Sequence, residues 1–166
     1  MSFVLHQGVR DYFGYRDQRM FHNTPKEQDR SRDLLLFDAY YACLLVGTCL
    51  SGLGNESDLE GTNFIDGYPE PFRDSKEFIA GLIVEAELRR LDTENYSDRE
   101  FEREIAKLLD VNSPTRLSDG AGIAKANLYA AGGFEFILEK LQPKPVSAQE
   151  FLLRFHDLWE QEASRK

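Results

Sequence analysis

Two carboxylates stand where carboxylates are costly. Asp38 shares a helical stripe with Leu34, Tyr41, Ala42 and Leu45, and Glu85 lies beside Phe78 and Leu82 on a second apolar face. A buried, unpaired carboxylate must shift its pKa upward or find a partner. For Glu85 the partner is Arg89, four residues on in the favourable acid-before-base order. For Asp38 the candidates are a tyrosine hydroxyl, an arginine from elsewhere, a helix N-terminus or another chain. The favoured arrangement is a buried polar network of Asp38, Tyr41, Glu85 and Arg89. The catalytic alternative has Asp38 and Glu85 facing each other across two central helices, sharing a proton or holding a metal ion, with Tyr40 or Tyr41 positioning a substrate.

The other chemistry-bearing residues form no complete pattern. His6, His22 and His156 are dispersed, with no His-Glu-x-x-His and no di-iron Glu-x-x-His pair. Asp58 and Glu60 lack the alternating ligands and terminal Glu of a calcium loop. Asp119-Gly120-Ala121-Gly122-Ile123-Ala124-Lys125 lacks the Gly-Lys-Ser/Thr ending of a P-loop and the third glycine of a dinucleotide fingerprint, so a tight turn and a close helix contact explain it better. Cys43 and Cys49, about 120° apart on one helix, are poorly placed to pair and read as buried free thiols. No cofactor and no metal ion is expected.

The elements that must hold these residues are helices. Thr24-Pro25-Lys26-Glu27 is a capping box with proline at the first helical position, which predicts a helix from there to about Leu50. Its second half is apolar around almost the whole circumference, so it should be the central element, enclosed by other helices. A second helix follows Asp74 or Ser75, with Phe78, Ile79, Leu82, Ile83 and Ala86 inward. Ser97-Asp98-Arg99-Glu100 and Ser147-Ala148-Gln149-Glu150 are further capping boxes. The last of these opens a helix striped by Phe151, Phe155, Leu158 and Trp159. Between them, small residues over 120–131 permit close backbone approach to a neighbouring helix, and Gly132-Gly133 should bend or break the helix before Phe134 resumes it. The expectation is an all-α bundle of five or six helices around a central apolar helix. Residues 1–23 form an irregular N-terminal arm, and residues 24–166 form one helical domain carrying a long acidic, Gly/Pro-rich loop at 51–73.

Composition limits the partners. The chain has 166 residues and a net charge of −9, which disfavours direct nucleic-acid binding through a basic footprint. Charge is uneven: residues 1–32 carry six basic and four acidic side chains, leaving −11 on the remainder. The uncharged run from Ala39 to Asn55 is interrupted by Gly47, Thr48, Ser51, Gly52 and Gly54, too short and too polar for a membrane span. The opening residues show no charged region followed by a long apolar one, so the cytoplasm is the default location.

At Arg32-Asp33-Leu34-Leu35-Leu36-Phe37-Asp38-Ala39-Tyr40-Tyr41 the chain resembles small accessory proteins of bacterial DNA phosphorothioation (Dnd-type) and related phage-defence clusters. It departs from them at Thr62-Asn63-Phe64-Ile65-Asp66-Gly67-Tyr68-Pro69. The resemblance implies a noncatalytic component of a DNA-processing defence assembly and assigns no functional residue. From the residues themselves, the arm and the 51–73 loop combine aromatic and charged side chains without core periodicity. The expected role is therefore an adaptor or regulatory subunit binding another protein through Arg10, Tyr12, Tyr15, Arg16, Arg19, Asp66, Tyr68 and Trp159. Alternatives are an acidic nucleic-acid mimic, the Asp38–Glu85 enzyme, and a homo-oligomer seam built from the same aromatics.

Overall fold

A computed structural model describes residues 2–14, 35–50, 52–91 and 97–164, and the described chain is all-α. Its helices are α1 (Val9–Tyr12), α2 (Leu36–Leu50), α3 (Lys76–Arg90), α4 (Asp98–Ala106), α5 (Ala121–Lys140) and α6 (Ala148–Ala163). Short 3-10 turns at Glu56–Asp58 and Glu70–Ser75 lie between α2 and α3. The capping box at residues 24–27, and the predicted first half of the central helix, fall outside the described residues.

The central helix is α2, buried at Phe37, Ala39, Tyr40, Cys43, Leu44, Val46, Gly47 and Thr48. Its chief neighbour is α5, with α3 second. The contact with α5 is backbone against backbone. A Cβ at Gly47 would lie 1.8 Å from the Tyr129 carbonyl oxygen, and one at Gly133 would lie 1.8 Å from the Cys43 carbonyl oxygen. Only hydrogen fits at either position. Such an approach brings the two helices closer than larger side chains allow, and it places Ala126 and Ala130 of α5 in the core.

This contact overturns the expected break at Gly132-Gly133. Helix α5 runs unbroken from Ala121 to Lys140. The two glycines do not end it; they face the neighbouring backbone. Gly133 meets α2, and a Cβ at Gly132 would lie 2.4 Å from the Gly52 carbonyl oxygen, where the chain leaving α2 crosses over α5. The intrinsic helix cost of glycine is about 1 kcal/mol per residue, small beside the packing that this approach permits. The small-residue reading of 120–131 holds as well: the Tyr129 backbone abuts Gly47 of α2, and a Cβ at Gly122 would lie 2.1 Å from the Leu108 carbonyl oxygen, in the turn after α4.

The N-terminal segment and the 52–73 stretch close one side of this pair. Phe3 N–H donates to the Ile65 carbonyl and Phe64 N–H to the Phe3 carbonyl, both at 3.0 Å, while Glu60 N–H donates to the Leu5 carbonyl and Gln7 N–H to the Asp58 carbonyl. The result is a pair of isolated antiparallel bridges, Phe3 with Ile65 and His6 with Leu59. Rings then fill the space beneath: Phe3 packs on Phe37, Tyr40 and Tyr68 with centroids 5.3–5.6 Å apart. Phe37 also packs on Phe72 at 4.7 Å.

The capping boxes are realised to different degrees. At Ser97 both reciprocal bonds form. At Ser147 the hydroxyl accepts from Glu150 N–H, but the Glu150 carboxylate takes the Val146 N–H instead of that of Ser147. Helix α3 begins without a side-chain cap from Ser75.

Alanine substitutions separate the two kinds of glycine. Gly47→Ala and Gly133→Ala should each cost about 2–4 kcal/mol, because the obstructing atoms are backbone. Gly81→Ala, inside α3 with nothing within 4 Å of the new Cβ, should stabilise by about 0.5–1 kcal/mol. Denaturant unfolding of the three variants checks the ordering.

Candidate functional site

The four residues expected to form a buried network do not form one. Asp38 turns back on its own helix, where its Oδ2 accepts from Leu35 N–H at 2.6 Å in an exposed position. An acid in the first turn suits the positive end of α2. The Glu85 side chain is 64% exposed and sits 4.0 Å from Arg89. Arg89 itself donates to the Thr48 carbonyl at 2.7 Å and the Cys49 carbonyl at 3.2 Å, closing the C-terminal end of α2. Tyr41 is half-buried, edge-on to Phe72 at 5.1 Å. No hydrogen bond joins Asp38 to Glu85, and Tyr40, the other proposed substrate-positioning residue, is wholly buried and donates to Asn127 Oδ1 at 3.1 Å.

The buried ionic group is Glu87. It is 4% exposed. Its carboxylate accepts from Tyr129 OH at 2.7 Å and from Arg90 at 3.0 Å and 2.8 Å, with Lys125 Nζ at 3.4 Å. Burial pushes its pKa up, but the hydrogen bonds from Arg90 and Tyr129 and the charge of Lys125 outweigh it, and the net shift is downward. Glu87 falls on the stripe of Ile79, Ile83 and Ala86, which are fully buried, whereas Phe78, on the stripe that pointed to Glu85, is 58% exposed. Taking the aliphatic stripe instead of the one led by Phe78 would have found it. A second polar node is Asn127 of α5: its Oδ1 accepts from Val4 N–H at 3.1 Å as well as from Tyr40, and its Nδ2 donates to the Ser2 carbonyl at 3.3 Å.

Most of the residues expected to meet a partner are occupied within the chain. Tyr12 is 4% exposed and Tyr68 8% exposed, so neither ring presents a surface. Arg10 donates to Glu60 at 2.9 Å. Asp66 is exposed, and the Ser2 hydroxyl and then the Asn63 amide hold its carboxyl below the usual carboxylate range. Trp159 is half-buried and stacked on Phe155 at 6.2 Å. These two rings, with Leu158, face Val46, Leu50 and Phe136 across a gap of about 20 Å³, room for about one water molecule. Tyr15, Arg16 and Arg19 lie outside the described residues.

Two groupings were not visible in the sequence. The first is His6 with Asp58 and Glu135, whose ligand atoms lie within 4.8 Å of one another. Gly8 N–H donates to His6 Nδ1 at 3.0 Å, so that nitrogen holds the lone pair and the neutral ring carries its proton on Nε2. Nε2, 4.0 Å from Glu135 Oε1, therefore presents a proton to the carboxylates where a metal ion would need a lone pair. The cluster does not fit a metal ion. The second is the outward side of α6. Its inner stripe, led by Phe151 at 2% exposure, packs on Phe13 at 4.9 Å, yet Leu152 is 52% exposed, Leu153 61%, and Val146 in the lead-in 69%. The first turns of α6 are thus apolar on both sides, and the chain covers one of them.

No family model, no curated protein and no solved structure matches this chain.

Two outcomes follow from the polar groups. Glu87→Gln should destabilise by about 1–3 kcal/mol near neutral pH. Because the folded-state pKa of Glu87 is depressed, its contribution is present above the ordinary carboxylate value and lost as pH falls through the folded one, so parent and variant should converge in acid. The hydroxyls of Tyr12 and Tyr68 are buried with no hydrogen-bond partner among the described residues. Tyr12→Phe and Tyr68→Phe should therefore each leave stability unchanged or raise it by up to about 1 kcal/mol, whereas Tyr129→Phe should lower it by about 1–2 kcal/mol. Urea titrations at two pH values read all four.

Proposed function

We propose that this protein is a noncatalytic adaptor that docks on another protein through the outward face of α6. One observation carries the reading: Leu152, Leu153 and Val146 are all more than half exposed at the start of one helix. Single exposed aliphatics are ordinary on a protein surface, but a cluster on one short stretch marks a contact surface. Leu152 and Leu153 stand outside the buried stripe of α6, and apolar side chains left together in solvent gain from being covered. Here the inner side is covered by Phe13 and by residues of α2 and α5, so the outer side is the one left for a partner. Among the described residues no helix is long and apolar enough to cross a membrane.

The setting in a DNA-processing or defence assembly rests on the ten-residue likeness at 32–41 alone. The docking face does not depend on it.

The Leu152→Ser/Leu153→Ser double variant tests the reading. It should keep its helical circular dichroism, with stability within about 1–2 kcal/mol of the parent, because both side chains are more than half exposed and serine is the weaker helix former. The native complex recovered from cells should lose its partner. Equal recovery by parent and variant would remove the α6 face from the proposal. A purified parent whose native mass is a multiple of the chain, reduced to one chain by the substitution, would assign the face to self-association instead.

A further inference from the structure

His6 is the one described histidine built into the packing of the fold, and its surroundings pull in two directions. Its ring lies on Phe134 of α5, with centroids 4.7 Å apart. Its backbone pairs with Leu59, and its carbonyl accepts from Val9 N–H at 3.0 Å. Its Nδ1 accepts from Gly8 N–H, two residues on, much as an Asn side chain closes an Asx-turn. Gly8 is the N-cap of α1 and offers no side-chain cap of its own. A Cβ there would lie 2.9 Å from Phe134 Cε1, so the turn is held tightly against α5. The turn made by His6 and Gly8 therefore starts the helix that carries Val9 and Tyr12 into the core.

An imidazolium has an N–H on both nitrogens. Placed as the neutral ring is, it would set its Nδ1–H against Gly8 N–H, donor to donor, and the capping bond would be lost. On the other edge of the ring, Glu135 from α5 and Asp58 from the 3-10 turn offer acceptors to a charged ring. The remaining charged pair on these segments, Arg10 with Glu60, is closed on itself.

We infer that His6 is a proton-operated latch on the N-terminal segment. The neutral ring closes the His6–Gly8 turn and starts α1. The imidazolium leaves Gly8 for the Glu135–Asp58 pair and frees that turn. Burial holds the His6 pKa below the ordinary imidazole value of 6.5, with Glu135 and Asp58 opposing it. The latch is thus closed at and above that value and opens as pH falls below it. The other described bonds of the N-terminal seam run backbone to backbone, from the Gln7 amide to the Ser57 and Leu59 carbonyls, between Asn127 and the backbone of Ser2 and Val4, from the Ser2 hydroxyl to Asp66, and from Arg10 to Glu60.

Hydrogen exchange of the full chain at about pH 7.5 and about pH 5, corrected for intrinsic exchange chemistry, tests this. Protection of the amides in residues 8–13 should fall at the lower pH, while α2 and α5 hold theirs. His6→Asn supplies an acceptor for Gly8 N–H that does not titrate, so it should keep the protection at both pH values. Equal pH-dependent loss in His6→Asn, or no loss in the parent, overturns the latch. Should His6→Asn fail to fold, imidazole nitrogen NMR of the parent decides. An unprotonated Nδ1 at neutral pH, gaining its proton over the range in which protection is lost, supports the latch, and a protonated one overturns it. Added Zn²⁺ that raises the melting temperature of the parent but not of Glu135→Gln also overturns it, because the metal needs the electron pair that the latch keeps protonated.

Discussion

The structure depends on the contact of α2 with α5 at Gly47 and Gly133, where each helix presents hydrogen to a carbonyl oxygen of the other. Two helices this close leave no room for interdigitating side chains at the crossing, so the large residues of both must point away from it. They do so in two directions. Toward the N-terminus of α2, Phe37 and Tyr40 meet Phe3, Phe64 and Tyr68. Toward its C-terminus, Val46 and Leu50 meet Phe136 and the rings of α6. The aromatic clusters that flank the crossing are consequences of it, because a close pair of cylinders exposes broad shoulders that only bulky side chains cover.

Covering the first shoulder explains why the N-terminal segment is part of the core. Phe3, Leu5, Val9, Tyr12 and Phe13 are all nearly inaccessible, yet the segment has almost no helix of its own. Its backbone groups are satisfied by the 52–73 stretch, which supplies carbonyls and amides across two isolated bridges. Each of the two irregular segments thus completes the hydrogen bonding of the other, a requirement that burial imposes on any nonhelical backbone. Asn127 reaches from α5 to fasten the end of the seam, and His6 fastens its start.

Much of this was legible in the sequence. The all-α class, the enclosed helix, the Ser97 box and the small-residue approach all rest on local rules of periodicity, capping and side-chain size. What was not legible depended on which face of a residue met a neighbour. Gly132 and Gly133 look alike whether they break a helix or admit a second backbone, and only the presence of α2 decides between the two. Phe78 looks like a core residue beside Leu82, but α3 turns its Ile79–Ile83 stripe inward instead, and the ionic group that follows is Glu87 and not Glu85. The convergence of His6, Asp58 and Glu135 joins residues more than fifty positions apart through three elements, and no spacing rule encodes it.

The surface proposed for a partner lies elsewhere than the irregular spacing of the rings suggests. Aromatic residues without helical spacing suggest outward contact when no neighbour is known. Among the described residues of the N-terminal segment and the loop, each such ring has a neighbour, so their irregular spacing reflects irregular backbone and not an external surface. Leu152 and Leu153 stand beside Phe151 but outside the stripe of Phe151, Phe155, Leu158 and Trp159 that the spacing picks out. A helix packed on one side buries one stripe only. Phe151, Phe155 and Leu158 fill that stripe, and the two leucines lie about a quarter-turn and a half-turn from Phe151, beyond it. Their exposure is therefore not slack packing that a small shift of α6 would relieve: any rotation that buried them would lift Phe151 away from Phe13 and open the second shoulder of the α2–α5 pair.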